Sequence, residues 1–158
     1  MTHSEPKKDM KMHIIEWKRL VQQGRTCDRC NDTGATLRQV VRELNSNCGK
    51  SRAWFRLKTT RLGASRLAES NAIFIDGKPL EQLVPGARVT KTNCPSCGEI
   101  LGKPSKCRAL AAAGYTYEAV PAELIRAAVC RAADCCGEGC ECNCGCGKGK
   151  ERKTKSCA

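Results

Sequence analysis

The amino-acid sequence predicts an α/β domain, a sheet flanked by helices, followed by a tail that has no core of its own. Three observations carry this expectation. Short runs rich in β-branched and aromatic residues, MHIIEWKRLV, AWFRL and AIFI, alternate with segments of helical periodicity. The chain of 158 residues is 28% charged and 41% apolar, which suits one core of ~100–150 residues with something added. Beyond residue 134 the texture changes, because CCGEGCECNCGCGKGKERKTKSCA has no large apolar side chain and cannot bury a core. The predicted organisation is a flexible N-terminus over residues 1–11, a folded domain over 12–133, and a cysteine-rich tail over 134–158 that is disordered until metal orders it.

Residues 12–21 mix β-branched, aromatic and polar positions and are predicted as the first strand. The stretch TCDRCNDTG follows, placing Cys27 and Cys30 in a CxxC motif ahead of Leu37, Val40, Val41 and Leu44, the i, i+3, i+4, i+7 stripe of an amphipathic helix that ends near 45–49. A helix starting at the motif leaves Cys27 exposed at its N-terminus and turns Cys30 inward. NDTG is a weak helix opening, since Gly34 alone costs ~1 kcal/mol relative to alanine. A second strand is expected at 53–57, a polar connection at TTRLGASRLAES, and a third strand at 72–75 closed by the turn Asp76 and Gly77. Residues 79–83 read as a short helix, and VPGARVTKTN leads to the second motif, CPSCGEILGKPSKC. A terminal helix is expected over 117–133, with Pro121 and Glu123 suited to its first turn. Trp17 and Trp54 are assigned to the core, Asp76 and Glu81 to turn and helix surface, and neither His3 nor His13 has a spacing that suggests a partner.

Cysteine is the informative residue: fourteen lie far above ordinary usage. The N-terminal MTHSEPKKDMK has no apolar run that would serve as a signal peptide, and no eighteen apolar residues occur together, so a soluble cytoplasmic protein is expected. Thiols are kept reduced there, which favours redox catalysis or metal binding over a disulfide scaffold. The formal charge of +12 raises nucleic acid as a partner. Against it, basic residues are spread along the chain, with one concentration in KGKERKTK and no aromatic interleaving to stack bases. A divalent ion bound by four thiolates is a net dianion and would offset part of this charge.

Each cysteine group admits more than one chemistry. Cys27 at a helix N-terminus is placed for a stabilised thiolate, with Arg29 assisting and Asp28 opposing, but a CxxC is equally half of a tetrahedral zinc site. Cys94 and Cys97 in CPSCG read as a zinc knuckle or as a dithiol. Cys107 is a natural third thiol, and Cys48 or Cys130 a candidate fourth. In the tail, Cys135, Cys136, Cys140, Cys142, Cys144, Cys146 and Cys157 resemble the CxC and CC spacing of metallothioneins, in which neighbouring thiolates share soft ions. The ion expected is zinc or another soft species: copper, mercury or arsenic. No phosphate-binding glycine loop, paired-carboxylate motif or Ser, His, Asp arrangement stands out.

The order of strand, CxxC, helix and a later FIDG hairpin resembles the thioredoxin fold, glutaredoxins in particular. More narrowly, IIEWKRLV, TCDRCNDTG, ESNAIFIDGKPLE, CPSCGEILGK and VPAELIRAA resemble a prokaryotic thioredoxin-like family known as domain of unknown function 2703. The resemblance implies a thioredoxin-like sheet over 12–133, with Cys27 as attacking thiol and Cys30 as resolving thiol. Asn71 stands where thioredoxins place a cis-proline. The function implied is that of a thiol-disulfide oxidoreductase-like protein handling thiophilic metals or metalloids, its partner a thiol/disulfide protein or a metal donor, without membrane or nucleic acid. The alternative is a non-catalytic soft-metal protein in which Cys27, Cys30, Cys94 and Cys97 hold one structural zinc. A third reading is a basic, nucleic-acid-associated zinc protein.

Overall fold

Strand β1, Lys11–Leu20, turns His13, Ile15, Trp17 and Leu20 inward, and it becomes the inner strand on which the first sheet is built. The computed structural model describes residues 11–47 and 53–133. Strand β2, Ala53–Leu62, runs parallel to β1 in one unbroken register from Lys11 opposite Ala53 to Leu20 opposite Leu62. A parallel pair needs a crossover, and helix α1, Asp28–Asn47, supplies it, burying Leu37, Val40 and Leu44. On the other side of β1 lies the antiparallel β3, Ala72–Ile75, followed by β4, Lys78–Pro79, which gives the order β2-β1-β3-β4. A short helix α2, Leu80–Leu83, leaves this sheet.

A second, antiparallel sheet then forms from β5, Arg88–Asn93, β6, Lys106–Ala112, and β7, Tyr115–Tyr117, in the order β5-β6-β7. Helix α3, Pro95–Leu101, lies in the β5–β6 connection, and α4, Ala122–Ala133, returns to pack on α1, α2 and β3. The whole is a mixed α/β architecture with helices flanking its sheets. No helix among the described residues is long and apolar enough to cross a membrane.

Several elements differ from expectation for identifiable reasons. The second strand runs on through KTTRL to Leu62 because it follows β1 along its full length. No strand was expected in VPGARVTKTN, yet β5 forms there with no fully buried residue, so its sequence lacks the alternation that betrays a strand. The terminal helix starts at Ala122 because Tyr115–Tyr117 pairs with β6. NDTG opens α1 without a break. A Cβ on Gly34 would stand 2.4 Å from Cη2 of Trp17, so glycine is there to let the indole pass beneath the helix. Its neighbour Thr33 is buried and accepts the Val120 N–H at 3.1 Å.

His13 does have a partner. Its Nδ1 lies 2.6 Å from Oδ2 of Asp76 and its ring stacks on Phe55, while Oδ1 of Asp76 accepts the Ile14 N–H at 2.9 Å. The turn aspartate thus fastens the β3–β4 hairpin to β1. Trp17 is core, as expected, and Trp54 is half-buried. Asn71 adopts φ 61°, donates its N–H to Lys18 O at 2.7 Å and its Nδ2 to Glu118 O at 3.0 Å. His3, Cys48 and the tail boundary near residue 134 lie outside the described residues.

Candidate metal centre

Four thiols converge where the two sheets meet, and local structure prepares each. On the first sheet's side, the Thr26 hydroxyl donates to Leu20 O at 2.6 Å, shaping the turn out of β1. The Asn31 N–H donates to Cys27 O at 2.9 Å, so Cys27 stands at the threshold of α1. On the second sheet's side, Cys94 caps α3 and Pro95 occupies its first position, where the missing N–H costs nothing. Cys94 N–H donates to Ser105 O at 2.9 Å and Gly98 N–H to Cys94 O at 3.0 Å. Gly102 ends α3 in the left-handed conformation, φ 72°, returning the chain to β6 so that Cys107 meets Cys97 with their sulfurs 2.9 Å apart.

The Sγ atoms of Cys27, Cys94, Cys97 and Cys107 all lie within 4.8 Å of one another, and all four residues are buried. Metal–sulfur bonds of ~2.3 Å directed to the corners of a tetrahedron put sulfurs about 3.8 Å apart, inside the observed span. The residues present therefore fit a tetrathiolate ion.

Two ties join the motifs without using sulfur. Asp28 N–H, the first of α1, donates to the Ser96 hydroxyl at 3.1 Å. Arg29, its side chain 4% exposed, donates through Nη1 to the carbonyls of Cys107 and Arg108 at 3.2 and 3.0 Å. Its Nη2 donates to Asn93 O at 3.0 Å and lies 3.3 Å from the Glu118 carboxylate. The guanidinium expected to favour the Cys27 thiolate is instead committed to these carbonyls.

The thiols share their protons unevenly. Hydrogen bonds from Cys107 first, then Cys30, hold Cys27 far below the ordinary thiol value of 9.0. Cys30 is pushed well above it, first by its hydrogen bond to Cys27 and then by burial. Burial raises Cys97 to about 12, and Cys107 is raised by its bond to Cys27 and then by burial.

Cys27 was expected to be exposed, but it is 1% accessible, because the CPSC loop and β6 cover the start of α1. Cys30 does face inward and is fully buried. Of the alternative zinc set, Cys27, Cys94 and Cys97 come together, and Cys107 stands in the place given to Cys30. Cys27 also fills the fourth position that the sequence left to Cys48 or Cys130. Cys135, Cys136, Cys140, Cys142, Cys144, Cys146 and Cys157 lie outside the described residues. Sequence reasoning missed the structural parts of Arg29 and Ser96, although an arginine inside a CxxC and a serine inside the facing one were in view. Cys94 lines two surface clefts of about 680 and 410 Å³.

An uncharacterised protein of Archaeoglobus fulgidus is 34% identical over 116 residues, covering 70% of this chain and 80% of that protein. No solved structure matches the chain. The family described as domain of unknown function DUF2703 matches residues 14–129, a span that contains Cys27, Cys30, Cys94, Cys97 and Cys107. On that match, the chain belongs to the DUF2703 family.

Proposed function

We propose that this protein binds one thiophilic divalent ion, with zinc as the reference case, between Cys27, Cys94, Cys97 and Cys107 on a thioredoxin-like core. The observation that carries the reading is the convergence of four buried sulfurs from two separate sheets on one point. Four thiolates are a soft donor set, suited to zinc, copper, mercury or arsenic species and not to magnesium or calcium. Four protein ligands close a tetrahedral site, so the chemistry is holding or handing over an ion, with no open position for a reacting water. The thioredoxin-like reading is supported by the β1–α1–β2 crossover, the antiparallel β3 and β4, and a CxxC at the α1 threshold.

A second reading is supported by the CxxC spacing that sets Cys27 at the threshold of α1 and Cys30 in its first turn. In it, the CPSC loop and β6 first open to uncover Cys27, which is 1% accessible as folded. Its thiolate then attacks a partner's disulfide, one partner sulfur leaves as thiolate, and Cys30, giving up its proton, displaces the other to leave a Cys27–Cys30 disulfide. The tail thiols Cys135, Cys136, Cys140, Cys142, Cys144 and Cys146 belong to the same proposal as a capture site for soft ions. The partner is then a metal donor or a thiol/disulfide protein in a reducing, cytoplasmic setting.

Metal analysis of full-length protein under reducing conditions tests the leading reading. Cobalt(II) should give the spectrum of a tetrahedral thiolate complex, and Cys97→Ser should abolish it in protein whose six tail cysteines named above are serine. Replacing the six named tail cysteines by serine should lower total uptake while leaving that spectrum intact. Loss of the spectrum with the tail thiols alone would place the ion elsewhere and end the proposal.

A further inference from the structure

We infer that Arg29 keeps the four thiols assembled without the help of an ion, so that the metal is exchangeable cargo and not part of the fold's scaffolding. This inference rests on the metal-centre reading above. Three of the thiols belong to the β5–β6 unit and one to α1, so whatever docks that unit decides whether the site exists before metal arrives.

Apolar burial docks it in part, since Cys94, Cys97, Cys107 and Leu110 join the core of the first sheet. Strand β5 has no fully buried residue, and the inward side of β6 is mostly alanine around Leu110. What fills the seam is the Arg29 guanidinium, a planar fork whose five N–H donors can serve several acceptors at once. Asn93 immediately precedes Cys94, and Cys107 is itself a proposed ligand. By binding the carbonyls of Asn93, Cys107 and Arg108, Arg29 pins both ends of the ligand-bearing loop to the helix turn that follows Cys27. Ser96 on the Asp28 N–H adds a tie, and Arg108 with Glu81 at 3.0 Å adds another between β6 and α2. None of these contacts involves a sulfur.

A structural zinc site is typically organised by the ion itself, and chelation unfolds it. Here the ligand loop is tied by contacts that chelation leaves intact. The charge of the guanidinium is matched by the Glu118 carboxylate 3.3 Å away, so its part at the centre is to hold the ligand backbone. Arg29 is a positioning residue: it touches the ligand backbone and not the ion.

The test uses full-length protein and zinc, with cobalt(II) as the spectroscopic probe and hydrogen exchange of the β6 amides as the structural readout. In the wild type, chelation should remove the cobalt spectrum and leave β6 protection in place. Arg29→Met should weaken zinc binding about 10–100-fold, the range for lost outer-shell partners. Its β6 protection should vanish without metal and return at saturating zinc. Arg29→Lys, which keeps the charge but not the fork, should recover only part of the affinity. If Arg29→Met does not fold even with zinc, Ser96→Ala carries the test, with metal-free β6 protection reduced and restored by zinc. Wild-type protein that binds zinc but loses β6 protection on chelation overturns this inference and leaves the metal centre standing. Variants whose metal-free protection equals that of the wild type overturn it too. Wild-type protein that takes up no more metal than Cys97→Ser removes the metal centre and this inference together.

Discussion

The two sheets are held by different physics. Around β1, the side chains of Ile15, Trp17, Leu20, Phe55, Ile73 and Ile75 meet Leu37, Val40 and Leu44 of α1, all nearly inaccessible, each worth roughly 1.5–3 kcal/mol of burial. In the β5–β7 unit the buried residues are Cys94, Cys97, Cys107, Leu110 and alanines, and arginine contacts share in the joining. The first sheet stands on apolar packing, and the second joins that core through its cysteines and Leu110 and adds polar ties. The proposed centre lies at the seam, where the weaker unit closes over the stronger one.

The sharpest way to break this contrast is to remove a large side chain from the stronger half. Trp17→Ala should cost roughly 3–5 kcal/mol of unfolding free energy in a denaturant titration. A cost below about 1 kcal/mol would show that β1 is not the load of the fold. Next comes metal. If the ion stabilises the β5–β7 seam, a thousandfold excess of zinc over its dissociation constant should add about 4 kcal/mol. Cys107→Ser should erase that gain and Cys30→Ser should keep it. Because ligation needs deprotonated thiols, zinc affinity should fall as pH is lowered, with protons released on binding in a calorimetric buffer series.

A smaller effect tests how α1 lies on β1. Gly34→Ala should cost about 1–3 kcal/mol, since its Cβ would run into the Trp17 ring. In a Trp17→Ala background the same change should be neutral or favourable, because alanine is the better helix former by ~1 kcal/mol. Additive costs in that cycle would mean that the two residues do not touch in solution.

The smallest effect lies at the α1–α4 strap. Arg126 first and Gln39 next hold the Glu43 carboxyl below its ordinary 4.5. A depressed carboxylate adds stability that is complete above 4.5 and is lost as pH falls below it. Glu43 is partly exposed, so the amount should stay under about 1 kcal/mol. Glu43→Gln should flatten the acid limb of the stability curve slightly and leave neutral-pH zinc binding unchanged.

Much of the first sheet was legible in the sequence. The stripe Leu37, Val40, Val41, Leu44 is what a helix packed on one face requires, and AIFI coincides with β3 residue for residue. The second sheet was not legible, because β5 is half-exposed throughout and β6 is built from alanines that carry little periodicity. The exposure expected for Cys27 failed for the same reason: nothing near residue 27 tells that a sheet formed after residue 88 covers it.

Local spacing by itself determined where the thiols occur and which pairs sit one helical turn apart, because three residues of backbone hold Cys27 near Cys30 and Cys94 near Cys97 whatever the rest of the chain does. Which four sulfurs meet was decided only by tertiary structure. Arg29 and Cys107 are 78 positions apart, and no local rule relates them. Bringing them together takes a docked second sheet, and the bonds that dock it run from a side chain to backbone carbonyls, acceptors that every residue carries and no sequence pattern marks.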